Sequence, residues 1–341
     1  MFRKIIVPLD GSTRAECAVP LAAHIARASH GTVVLLQTVT PDIDYGYRPH
    51  FAHNTLSTTS VQQREVQRAA NYLSALSHSE ALIGVKTETV AMEGMAVPGI
   101  LACARLHEAD LLIMSSHGYT GLKRWVFGSV AQKVVRHSPV PVLVLREDGP
   151  AFPSGDEKLA RPLRVLVALD GSPLAETVLT PAVQLIAALA GPGQGELHLA
   201  QVIEVPSDLD HKKLDLDLLE QARREASHSL SAIADKVSTG GAAEYNVKIS
   251  WAVLTGSDVA DVLIEAAELG DAEGTCKNCD LIAITTHGRS GLQRWMTGSV
   301  TERLLGGTWM PLYVVHAGDE PLASETDQDA RKQDQHTSTA L

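Results

Sequence analysis

The chain alternates two kinds of hydrophobic pattern, and it does so twice. Near-continuous aliphatic runs at residues 4–9, 32–39, 86–91, 111–114 and 140–145 predict buried strands. Between them, stretches at 15–28, 61–76, 97–107 and 129–137 space their apolar residues for one face of a helix. The second half repeats the order, with strands predicted at 164–169, 196–203, 246–252, 281–284 and 311–315. Aliphatic strands separated by helices imply a parallel sheet covered on both faces. Right-handed crossovers make such a sheet doubly wound. The expected fold class is therefore α/β, with two tandem doubly wound parallel sheets of five strands.

The repetition extends to individual residues. Lys4 to Ser12 (KIIVPLDGS) matches Arg164 to Ser172 (RVLVALDGS) at five of nine positions, offset by 160. Ser115 to Leu145 matches Thr285 to Val315 at eleven of 31 positions, offset by 170. Gly94 pairs with Gly256 at an offset of 162, so eight extra residues enter the second copy between Gly256 and Asp280. A solvent-exposed loop tolerates such an insertion. The joint EDGPAFPSGD, residues 147–156, has linker composition. The expected organisation is a first domain at 1–147, a linker at 148–161, a second domain at 162–317 and a polar, disordered tail at 318–341.

Composition refines this picture in three ways. The chain has 341 residues, 45% hydrophobic and only 4% aromatic, so its cores must be aliphatic. Its net charge of -11, from 29 basic and 40 acidic residues, argues against a nucleic-acid-binding surface. No apolar run approaches the length of a membrane span, and Met1-Phe2-Arg3-Lys4 does not open a secretory leader. A cytoplasmic protein without membrane or nucleic-acid partners is expected. Cys17, Cys103, Cys276 and Cys279 fit a reducing compartment. Cys276-Lys-Asn-Cys279 lacks a second pair at zinc spacing and lies in the inserted stretch, which favours two loop thiols over a metal or redox site.

In doubly wound sheets ligands bind beyond the carboxyl ends of the strands. Two loops per copy lie there. Asp10-Gly11-Ser12 and Asp170-Gly171-Ser172 follow strand one. They read either as a helix cap with a tight turn or as a carboxylate presented to a ligand hydroxyl or metal. The second loop, SSHGYTGLKRWVFGS from Ser115 to Ser129, follows strand four and is repeated from Thr285 to Ser299. Its glycines let the backbone approach an oxyanion, and the helix opening at Ser129 offers free N–H groups to a phosphate. Ser129-Val-Ala-Gln132 and Ser299-Val-Thr-Glu302 also read as capping boxes that need no ligand. His117 and His287 have no acid or thiol partner at a defined spacing, so no catalytic residue is expected. Other phosphate motifs and a nucleophile elbow are absent.

These loops resemble the nucleotide-binding pattern of the universal stress protein family, G-x-x-G, nine residues, then G-[ST]. Gly118 is followed by nine residues and Gly128-Ser129, and Gly288 by nine residues and Gly298-Ser299. Ser115 and Thr285 stand where the family has its first glycine. The resemblance covers nearly all of the chain outside the linker and tail and points to a tandem member. It implies a flavodoxin/Rossmann-like sheet of strand order 3-2-1-4-5. It also implies ATP as ligand, with Mg as a further expectation. Asp10 and Asp170 would then face the ribose, and Thr38 and Val202 would border the adenine. Gly118, Gly128 and Ser129, with Gly288, Gly298 and Ser299, would cradle the phosphates, and Ser115 and Thr285 would belong to the same nucleotide-binding loops. Arg124 and Arg294 would add positive charge, and Lys123 reads as an exposed salt-bridging residue. Further implied are an intrachain pseudo-dimer of the two copies and a homodimer.

Three functions compete at this point. The first is an ATP-binding stress or regulatory protein that changes shape or association with nucleotide. The second is a slow ATP-hydrolysing enzyme; the S-G-G-x-D-S loop of ATP pyrophosphatase-type ligases is missing after strand one. The third is a ligand-independent scaffold paired through the last strands, 140–145 and 311–315, which are apolar enough to associate. The doubled glycine loop favours the first.

Overall fold

The computed structural model describes residues 2–40, 55–116, 127–146, 152, 161–190, 193–205, 216–270, 274, 277–286 and 298–316. The first half contains strands β1 (Lys4–Leu9), β2 (Thr32–Val39), β3 (Lys86–Glu93), β4 (Leu111–Ser115) and β5 (Val142–Leu145). Its helices are α1 (Thr13–Glu16), α2 (Ala18–Ser29), α3 (Thr55–Ser77), α4 (Ala96–Leu106) and α5 (Ser129–His137). The second half contains strands β6 (Leu163–Leu169), β7 (Gly195–Glu204), β8 (Lys248–Gly256), β9 (Leu281–Thr285) and β10 (Leu312–Val315). Its helices are α6 (Pro173–Glu176), α7 (Leu179–Ala190), α8 (Leu216–Thr239), α9 (Gly241–Tyr245), α10 (Val259–Leu269) and α11 (Ser299–Gly307).

Each half has the order 3-2-1-4-5, all parallel, and the halves fuse into one ten-stranded sheet, β3-β2-β1-β4-β5-β10-β9-β6-β7-β8. The join is the one antiparallel pairing among the described strands: Leu312 faces Val144, Tyr313 faces Leu143 and Val314 faces Val142. Pro141 and Pro311 have no N–H to give, and the last strands begin one residue after them rather than at 140 and 311.

Two aliphatic cores cover the faces of this sheet. Ile5, Val33, Leu111 and Leu143 face the layer containing α2, α3, α7 and α8, whereas Ile6, Val34, Leu112 and Val144 face α4, α5, α10 and α11. This is strand alternation applied to a sheet buried on both sides. The halves also touch away from the seam. The His24 ring Nε2 meets the Leu189 carbonyl at 3.0 Å, joining α2 to α7. On the opposite face Arg136 on α5 pairs with Glu302 on α11, and Arg146 donates to the Leu305 carbonyl.

Three expectations need local correction. The helix expected at 15–28 is divided at Cys17 into α1 and α2. Pro20 cannot donate to the carbonyl four residues before it and clashes there, and Pro181, third residue of α7 as Pro20 is of α2, follows the corresponding break between α6 and α7. The strand expected at 246–252 starts at Lys248, because Asn246 adopts a left-handed φ of 53° in closing α9. Finally, Pro173–Ala190 has a mean hydropathy of 1.4 over 18 residues, long and apolar enough by composition to cross a membrane. Here it is broken into α6 and α7, and α7 contributes eight buried residues to the core.

Candidate functional site

The Asp-Gly-Ser loops take the same form in both halves. The Ser12 amide and hydroxyl donate to Asp10 Oδ1 at 3.0 and 2.6 Å. Ser172 does the same to Asp170 Oδ1 at 2.9 and 2.6 Å. Each serine oxygen in turn accepts the amide of Ala15 or Ala175 at 3.2 Å and caps the following helix. Gly11 and Gly171 turn the chain at φ +82° and +80°, where other residues are strained. The helix-capping turn is thus formed in both halves, with Asp10 and Asp170 each accepting both serine donors on Oδ1.

The strand-four loops return to the sheet at Gly128 and Gly298. The Gly128 amide donates to the Ser116 carbonyl at 2.9 Å and the Gly298 amide to Thr286 at 2.7 Å. A Cβ at Gly298 would lie 3.1 Å from that Thr286 oxygen. These glycines, not the serines, are the N-caps of α5 and α11, and neither supplies a side-chain cap. The capping boxes expected at Ser129 and Ser299 are thus not formed: each serine is already the first helical residue. Its position leaves the first-turn N–H groups without a side-chain acceptor from the cap. Thr301 ties α11 to β9 by donating its hydroxyl to the Thr285 carbonyl at 3.0 Å.

In the second half these pieces meet around a cleft of about 780 Å³ at the carboxyl end of the sheet. Asp170, Val202, Thr285, Gly298 and Ser299 all line it. Its apolar wall includes Ile203, Ala226 and Leu263, and the first-turn residues Val300 and Thr301 of α11 also line it. The charged residues among its described lining, Asp170, Glu204 and Glu225, are all acidic. Among the described residues, no three His, Cys, Asp or Glu side chains cluster as metal ligands.

Asp10, Thr38, Ser115, Gly128 and Ser129 occupy the matching positions of the first half, with β1 and β2 paired in the same register as β6 and β7. Thr38 packs tightly there; a Cβ on Gly99 would come within 2.6 Å of its Cγ2. The helix wall differs between halves. Ala69 and Leu73 on α3 correspond in burial to Ala226 and Leu230 on α8, which places Tyr72 opposite Ser229 of the cleft. The Tyr72 hydroxyl is engaged by Glu16, and burial followed by that carboxylate pushes its pKa well above the ordinary tyrosine value. Gly118, Lys123, Arg124, His117, Gly288, Arg294, His287 and Cys276 lie outside the described residues. Cys279 is buried.

Two residues at the site escaped the sequence reading. Gln37 and Gln201 directly precede Thr38 and Val202, and the Oε1 of each is buried without a hydrogen-bond partner. The signal was a glutamine at the same register position of the second strand in both copies.

A model of the universal stress protein family matches residues 1–146 and again residues 163–316. A universal stress protein of Mycobacterium tuberculosis strain H37Rv is 24% identical over 319 residues, covering 91% of this chain and 96% of that protein. One from Methanocaldococcus jannaschii is 29% identical over 147 residues, 43% of this chain and 84% of that protein. The crystal structure of a universal stress protein from Archaeoglobus fulgidus matches with a TM-score of 0.57 at 17% identity, covering 92% of this chain and 98% of that one. That likeness is one of fold.

Proposed function

The chain belongs to the universal stress protein family, and from that premise we propose that it binds an adenine nucleotide, ATP, and serves in stress regulation through nucleotide-dependent conformation or association. The observation that carries this reading is the convergence of Asp170, Val202, Thr285, Gly298 and Ser299 on one cleft. Its volume, about 780 Å³, lies within the roughly 300–1,000 Å³ typical of small-molecule sites. The ribose would meet Asp170, the base would lie along the strand-two segment at Val202, and the phosphates would meet the start of α11. Gly288 and Arg294 would complete the phosphate end, and Mg would arrive with the nucleotide. The first half would use Asp10, Thr38, Ser115, Gly118, Arg124, Gly128 and Ser129 in the same way.

The acidic lining does not oppose this reading. A helix N-terminus carries about half a positive charge, and its amides can bind phosphate directly. Equilibrium dialysis of the purified chain with ATP tests the proposal, with circular dichroism to verify the fold. Saturable binding is expected; a folded chain that retains no ATP overturns it. ATP remaining intact over hours in the same samples would separate binding from slow hydrolysis.

A second reading, a ligand-independent scaffold, draws on the β5–β10 seam, whose paired residues are separate from the cleft lining. Absence of adenine nucleotide from freshly purified protein, together with failed dialysis, would favour it. A homodimer of the whole chain would have to use a surface other than these paired strands. A cytoplasmic location and the domain limits 1–147 and 162–317 belong to the same proposal.

A further inference from the structure

Across the seam, Arg136 in the last turn of α5 pairs with Glu302 in the first turn of α11. Each charge suits its own helix, since cations are favoured at a carboxyl end and anions at an amino end. Glu302 directly follows Ser299, Val300 and Thr301, which line the second-half cleft. Its carboxylate therefore sits in the same helical turn that would receive phosphate. The next residue, Arg303, is engaged by Asp258 and Asp261 at the start of α10. The cation that meets Glu302 comes instead from the other half of the chain.

A carboxylate in a first turn competes with an anionic ligand for the dipole and the free amides of that turn. Pairing with Arg136 neutralises Glu302 and draws it towards α5. Arg146 grips the same helix: its guanidinium, 5.1 Å from the centre of the Phe127 ring, donates to the Leu305 carbonyl. The ion pair has no counterpart on the first-half helix. At the offset of 170, Gln132 on α5 stands for Glu302, and Gly306 on α11 stands for Arg136. An amide and a glycine cannot form a charge pair, so the dependence runs one way, from the first half to the second.

We propose that Arg136 of the first half is a positioning residue for the second-half nucleotide site: by holding and neutralising Glu302, it keeps the start of α11 open to phosphate. This rests on the nucleotide-binding reading above and assigns a control to it. Without Arg136, an uncompensated carboxylate would face the phosphates from within one helical turn. Without Glu302, nothing would oppose them. The two substitutions break the same ion pair and should move phosphate binding in opposite senses, whereas a purely structural link would make them alike. The side chains are 33% and 40% exposed, so the pair itself adds little to stability and its field is screened by salt.

Binding of ATP and of adenosine, which lacks the phosphates, should be measured on the full chain, on Arg136→Met, on Arg136→Lys, on Glu302→Gln and on the Arg136→Met/Glu302→Gln double variant. Arg136→Met is expected to weaken ATP by roughly fourfold or more, the effect of one unit charge about 10 Å away at a dielectric of about 40. If both halves bind, that loss falls on one of the two equivalents. The loss should shrink in about 0.5 M salt. Arg136→Lys should keep ATP affinity, Glu302→Gln should keep or raise it, and the double variant should recover it. Adenosine affinity should not change in any of them. ATP affinity that is unchanged in Arg136→Met would overturn the assignment while leaving nucleotide binding in place. So would equal losses in Arg136→Met and Glu302→Gln, a parallel loss of adenosine, or failure of the double variant to recover, each of which would mark the pair as structural. If the intact chain binds no ATP, both this assignment and the reading beneath it fall.

Discussion

The Tyr72 hydroxyl donates to Glu16 Oε1 at 2.8 Å, tying the long helix α3 to the short helix α1 just beyond Asp10. A hydrogen bond to a charged acceptor contributes more than a neutral one, about 1.5–3 kcal/mol, less where water can compete. Tyr72→Phe should therefore lower the unfolding free energy by about 1 kcal/mol in urea titrations. The contrast should also depend on pH. The folded-state pKa of Tyr72 is raised above its unfolded value of 10.0, by burial first and by Glu16 next. The stabilisation is fully present below pH 10 and is lost as pH rises, since the unfolded chain ionises first. Wild type and Tyr72→Phe should thus converge in stability in alkaline buffer.

Tyr313 gives the opposite sign. It is fully buried in β10 at the seam, its hydroxyl has no partner, and burial pushes its pKa strongly up. Tyr313→Phe removes the orphaned hydroxyl while keeping the ring. It should raise stability by about 1 kcal/mol, read as a higher urea midpoint with unchanged slope. A loss of stability would mean that the hydroxyl is satisfied in solution.

A carboxylate at the entrance to the fourth strand clamps the first strand in each half. Asp110 accepts the amides of Arg3 and Lys4 at 2.6 and 2.8 Å. Asp280 accepts the Arg164 amide at 2.9 Å and both terminal nitrogens of Arg161 at 2.8 and 2.6 Å. Asp280→Ala strands more donors than Asp110→Ala and should cost about 2 kcal/mol, against about 1 kcal/mol for Asp110→Ala. Comparison of the two denaturation midpoints checks the ranking.

The cysteines should differ sharply in reactivity. Burial pushes the Cys103 thiol up to about 11, while Cys17 is exposed. Alkylation of the native chain at pH 8, mapped by mass spectrometry, should label Cys17 and leave Cys103 unmodified until denaturant is added. Labelling of Cys103 at a similar rate would show that the packing around α4 opens readily.

Strands were the most legible elements in the sequence because their aliphatic runs end where the pattern ends. Lys4–Leu9 and Thr32–Val39 emerge with the expected bounds. Helix boundaries were less legible, since Pro20 acts on a carbonyl behind it and a cap depends on backbone torsions. Gly128 and Ser129 show this: either could have been the cap, and only φ and hydrogen bonding assign it to Gly128. The doubled glycine and Asp-Gly-Ser loops were visible as a pattern. The orphaned oxygens of Gln37 and Gln201 were not, because strand alternation gives a residue's face but not whether a neighbour supplies a donor.

The antiparallel contact of Val142–Val144 with Leu312–Val314 has a kinetic consequence. Pairing between separate chains weakens on dilution, and subunits can be exchanged for others. Pairing between segments of one chain is unimolecular, set by a local effective concentration instead of by expression level. The two halves are permanently matched, and neither can be replaced by a half from another molecule without a domain swap. A signal carried by separation and reassembly of the lobes would thus be independent of how much protein the cell holds. Differences between the halves, such as Tyr72 against Ser229, are inherited as one fixed combination in every molecule.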